Sequence, residues 1–197
     1  VADGDSVAAG DRWAGFNLSA GRAAVSRLRR QLRQAAQYGH EAIGMVIDTA
    51  PETLDYAQAF GLLGALTAMV DDLARAGGLQ ETIQHYSDSA VELARRLAEL
   101  HPDEPDYRQA LAGNLLQRAR LNAGTPRATE DAQAAVSAVA SLAQEKALPS
   151  RVDEARSLAQ QAAELLEASR AEFADEFSIL SPFLGGSAAR RPAAAGV

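Results

Sequence analysis

The side chains in this 197-residue chain that could do chemistry are few, and their spacing argues against catalysis. There is no cysteine, which excludes disulfides, thiolate metal sites and a cysteine nucleophile. His40, His85 and His101 are the only histidines, and none has a second metal ligand at a recognised spacing. His40 and Glu41 are adjacent, so on a helix they point to different faces. His85 reads as a solvent-facing neighbour of a core Tyr86, and His101 as a cation favoured at a helix C-terminus.

Asp71-Asp72 is followed by Leu73-Ala74-Arg75, without the further carboxylates a magnesium-diphosphate site needs, so the pair is expected on a solvated face. Gly61 and Gly64 lie inside a helical pattern rather than between a strand and a helix, so they form no phosphate loop. Their better reading is close helix packing. No serine stands in a Gly-x-Ser-x-Gly elbow, which leaves hydrolase chemistry unsupported. The expectation is a non-enzymatic chain with no catalytic residue, no metal and no cofactor.

The elements that carry these residues are helical. The chain is 47% hydrophobic and 23% charged, a globular balance, and only 5% aromatic, which argues against a sandwich or barrel. Its apolar period is that of helices throughout, with no alternating β-branched run. Successive helices are expected over Ser19 to Tyr38, Glu41 to about Thr49, Glu52 to Ala76, Gln80 to His101 and Pro105 to Ala123. One capped by Thr129 follows, then a last one opened by Ser150 with Asp153 at capping-box spacing. The first carries the stripe Val25, Leu28, Leu32, Ala35 and is interrupted at Gly39; the third carries Leu62, Leu66, Met69, Val70 and Leu73. Short connections force antiparallel neighbours, so the expected fold is all-α, a stack of antiparallel helical hairpins.

Residues 1–17 and 185–197 lack periodicity and read as a flexible leader and a disordered tail around one helical domain over 18–184. Trp13 and Phe16 in the leader, with Leu18 just after, are docking candidates, as are Phe177, Ile179, Leu180, Phe183 and Leu184 near the other end. Left in water, each such group forfeits burial of about 1.5–3 kcal/mol. They are expected to fold back on the chain or to dock on a partner.

Two stretches restate each other: Asp55-Tyr56-Ala57-Gln58-Ala59 returns as Asp106-Tyr107-Arg108-Gln109-Ala110, and Ala90-Val91 with Leu97-Ala98 as Ala135-Val136 with Leu142-Ala143. Helix-pair repeats at such periods mark a solenoid. On Ala90-Val91-Glu92-Leu93, His101-Pro102-Asp103, Leu115-Leu116 and Gly124, the chain resembles a tetratricopeptide (TPR) repeat over about residues 54–145. The likeness is to the long-helix form of kinesin light chains and many bacterial regulators. The resemblance implies a short superhelix whose concave face binds a peptide or helix of another protein. On that face it implies a groove of Tyr56, Gln58, Arg108, Gln109, Asn114, Arg118 and Asn122.

Other partners follow from charge and pattern. Net charge is −7, spread as +1 over 1–50, −6 over 51–148 and −2 beyond. A general nucleic-acid binder is basic overall, and no apolar run approaches the roughly 18–20 residues that cross a bilayer. The chain is therefore expected in the cytoplasm, bound neither to nucleic acid nor to a membrane. Arg22, Arg27, Arg29, Arg30 and Arg33 around the first stripe suggest contact with an acidic surface. Val152, Ala155, Ala159, Ala162, Leu166 and Phe173 follow a coiled-coil spacing, so the Ser150–Phe177 helix is a candidate for homo-oligomer formation.

Overall fold

The computed structural model describes residues 2–144 and six positions between 153 and 164. The described residues are all-helical, without a strand, and within each of two compact units, Val1–Pro102 and Asp103–Val197, adjacent helices pack on one another.

The first unit holds α1 (Ala2–Leu28), α2 (Leu32–Val46), α3 (Tyr56–Ala76) and α4 (Gln80–Leu100), with a 3-10 turn at Pro51–Thr53. Each helix packs on the next. Two expectations for its start are corrected. The segment read as a leader is helical from Ala2, so Ser19 is a buried interior residue and not a cap. The break expected at Gly39 falls instead at Arg29–Gln31.

That break is a Schellman turn. Arg30 adopts φ 59°, its N–H donates to Arg27 O (2.9 Å), and the Gln31 N–H donates to Ser26 O (2.9 Å). A side chain in this left-handed region costs about 1–2 kcal/mol, which is why glycine is the usual signal and Arg30 gives none. The kink dismantles the expected stripe: Ala35 is fully buried, but Val25 and Leu28 are exposed. The face of α1 that enters the core is Phe16, Ser19, Ala23 and Ser26. Gly39 sits inside α2, where a Cβ would come within 3.2 Å of the Met69 sulfur on α3.

The α3–α4 hairpin follows the sequence reading closely. Asp55 caps α3 by accepting from the Gln58 N–H (2.8 Å), while the Gln58 side chain accepts from the Asp55 N–H (3.1 Å). Gly77 at φ 72° ends it, and the Gly78 N–H closes on Leu73 O. Leu62, Leu66, Met69 and Val70 meet Ile83, Tyr86, Ala90, Val91, Ala94 and Leu97 in the core, each fully buried leucine contributing about 1.5–3 kcal/mol.

The second unit pairs α5 (Pro105–Leu121) with α6 (Pro126–Gln144). Ala112, Leu115, Leu116 and Ala119 face inward as their spacing predicts, with Ala132, Ala135, Val136, Val139 and Leu142 also buried. α6 opens at Pro126, three residues before the expected cap Thr129, with the Thr125 hydroxyl accepting from the Ala128 N–H.

Candidate interaction surfaces

The chemistry-bearing residues are occupied by structure. Among the described residues no three His, Asp or Glu side chains converge as metal ligands. His40 Nδ1 pairs with the Tyr86 hydroxyl, and the His85 ring stands edge-on to Tyr86 at 5.5 Å. Burial pushes the Tyr86 hydroxyl above its ordinary pKa. His101 caps α4, its N–H on Leu97 O.

The acidic pair is not a solvated face. Asp71 is exposed, but Asp72 is 1% exposed and gripped by Arg27, whose Nε and Nη2 donate at 2.9 and 2.7 Å. This hydrogen bond, opposed by burial, raises the Arg27 pKa further. Arg22 lies 5.9 Å from the Tyr38 ring centre, while Arg29, Arg30 and Arg33 are exposed. Gly61 is a point of close packing, with the Phe16 ring 3.3 Å from where a Cβ would stand; Gly64 faces open space and is not.

The groove implied by the resemblance is corrected at its centre. Arg118 is 8% exposed and forms a bidentate pair with the buried Asp131, Nε–Oδ2 2.8 Å and Nη2–Oδ1 2.6 Å. Asn114 is buried and donates to Ala110 O, and Asn122 donates to Arg118 O. The Arg118–Asp131 pair joins α5 to α6, while Asn114 and Asn122 each bond back one turn to α5 itself, so the buried Arg118 and Asn114 are not part of an open rim. Arg108 and Gln109 are half-buried. Gln58 is engaged in its capping box, and Tyr56 is exposed beside Phe60.

The two copies of the repeated motif also differ in role. Asp55 is an N-cap with Tyr56 outside, whereas Asp106 lies within the first turn of α5 and Tyr107 is buried. The proline at 105 starts α5 one residue before the second copy, so the copy's aspartate sits inside the first turn and not at the cap. Of the terminal docking candidates, Phe16 is buried and Trp13 half-buried against it, edge to face at 5.1 Å. Phe177, Ile179, Leu180, Phe183 and Leu184 lie outside the described residues, as does most of the Ser150–Phe177 segment.

A surface that spacing did not reveal is a cleft of about 560 Å³ in the first unit. The α2–α3 connection (Ile47, Thr49, Pro51) forms one wall, Leu62 of α3 the floor, and Asp88, Ser89, Glu92, Leu93 and Arg96 of α4 the other wall. Its interior is apolar. The mouth carries Asp88 and Glu92 one turn apart, Asp88 accepting from Gln84 and Glu92 from Arg95, with Arg96 paired to Glu99. The i, i+4 and i+8 spacing on α4 is visible in sequence, but the opposite wall is an irregular connection that only folding brings near.

No helix among the described residues is long and apolar enough to cross a membrane. Comparison of the sequence with models of known families and with curated proteins finds no match.

Proposed function

We propose that the chain is a non-enzymatic, TPR-like helical module that binds a segment of another protein, and that the cleft on the α3–α4 hairpin is its binding site. The observation that supports this reading is the cleft itself, whose size and apolar lining with few polar groups are those of a binding site. Its floor and one wall stand on two 21-residue helices with a buried core between them, and the α2–α3 connection closes the other side. The chemistry of the mouth selects the ligand. An apolar anchor side chain fills the space over Leu62 and Leu93, and a neighbouring lysine or arginine meets Asp88 and Glu92. In this reading the module works in the cytoplasm.

The test is selection from a displayed library of random peptides against the full chain. Enrichment of a large apolar residue next to a basic one is expected. The selected peptides should lose at least tenfold in affinity for Ser89→Trp, which fills the cleft, and less for Asp88→Asn with Glu92→Gln. Peptides that bind Ser89→Trp as tightly as the parent chain would overturn the assignment, circular dichroism having shown the variant helical.

A further inference from the structure

α1 carries two apolar seams, and the described residues bury one of them. The inward seam is Phe16, Ser19, Ala23 and Ser26. On the opposite side Ala14, Leu18, Gly21, Val25 and Leu28 recur at intervals of four, three, four and three, the spacing of a coiled-coil seam. All five are exposed, Leu18 at 59%, Val25 at 47% and Leu28 at 86%. Among the described residues nothing lies within 4 Å of where a Gly21 Cβ would be.

We propose that this outer seam pairs, antiparallel, with α1 of a second copy of the chain. Size complementarity specifies the arrangement. With Gly21 facing Gly21 at the two-fold axis, Leu28 of one copy falls on Ala14 of the other, and Leu18 on Val25. Gly21 then lets the two backbones approach closely.

Charge specifies the direction. Asp11 flanks the outer seam near its start and Arg29 flanks the same side just past the end of α1, while Arg12 falls on the side of the inward seam. A parallel pair sets like charge against like; the antiparallel pair brings each Asp11 near the partner's Arg29 and opposes the two helix dipoles. One helix per copy makes a small interface, so the dimer is reversible, as interfaces below about 1,200 Å² are.

Sedimentation across a dilution series reads the pairing. A mass near twice 20.7 kDa at high concentration that falls to the monomer on dilution is expected, with a dissociation constant on the order of micromolar. Leu18→Gln with Leu28→Gln, both at exposed positions, should weaken it at least tenfold while leaving helicity unchanged. Because the chain has no cysteine, orientation can be read by oxidation: a mixture of Ala14→Cys and Leu28→Cys chains should cross-link to each other rather than to themselves. A monomer at every concentration, a dimer indifferent to the glutamines, or cross-linking of Ala14→Cys to itself would each overturn the proposal. Peptide binding in the α3–α4 cleft does not depend on the result.

Discussion

Replacing Arg118 by alanine tests the claim that this residue is structural and not part of a binding rim. The guanidinium and the Asp131 carboxylate are 10% and 6% exposed and joined by two hydrogen bonds of 2.8 and 2.6 Å. Removing one partner of such a pair strands the other as a buried, uncompensated charge, at a cost of about 3–5 kcal/mol. Replacing both, Arg118→Met with Asp131→Leu, removes the desolvation penalty together with the attraction and should come within about 1 kcal/mol of the parent chain or exceed it.

Urea unfolding followed by far-ultraviolet circular dichroism measures both. At a slope of about 1–3 kcal/mol per molar urea, the single substitution moves the second unit's transition down by roughly 2 M. Fluorescence of Trp13, which lies in the first unit, should report an unchanged transition there if the units unfold separately. A loss below about 1 kcal/mol for Arg118→Ala would mean that the charge is solvated and the reasoning wrong. So would a double variant that is no more stable than the single.

Two further outcomes follow from packing and burial. Gly64→Ala should stabilise the first unit by about 0.5–1 kcal/mol, because its Cβ enters open space in a helix interior. Gly61→Ala, whose Cβ stands 3.3 Å from the Phe16 ring, should gain less or destabilise; thermal unfolding of the two variants side by side checks the order. Tyr86 has a raised pKa in the folded chain, so its stabilising effect is fully present below the unfolded value near 10 and is lost as pH rises through the folded value. Stability measured from pH 9 to 11 should fall, and fall less steeply in Tyr86→Phe.

Much of the helical plan is legible before folding. The stripes of α3 and α5, the Gly77-Gly78 stop and the proline at the start of α5 are local devices. Each acts within four residues, so spacing reveals it. The start of α3, read at Glu52, falls instead at Tyr56 behind the Asp55 capping box. The reading failed where geometry is non-local or chemically silent. Arg30 enters a left-handed turn without a glycine, which moved the first helix break by nine residues and turned Val25 and Leu28 outward. Phe16 reads as a docking residue until Gly61, 45 positions later, is seen to receive it.

The candidate site divides in the same way. Residue type and helical period by themselves determined that the described residues are helical, which faces of α3, α4 and α5 are apolar, and where most of their ends fall. Only tertiary structure decided that Asp72 and Arg118 are buried in ion pairs with Arg27 and Asp131. It alone brought the Ile47–Pro51 connection to α4 to make a cleft. The physical reason is range: hydrogen bonds and periodicity act over three or four residues along a helix. Whether a charged side chain meets water or a partner depends on which helix lies opposite, and no local spacing encodes that.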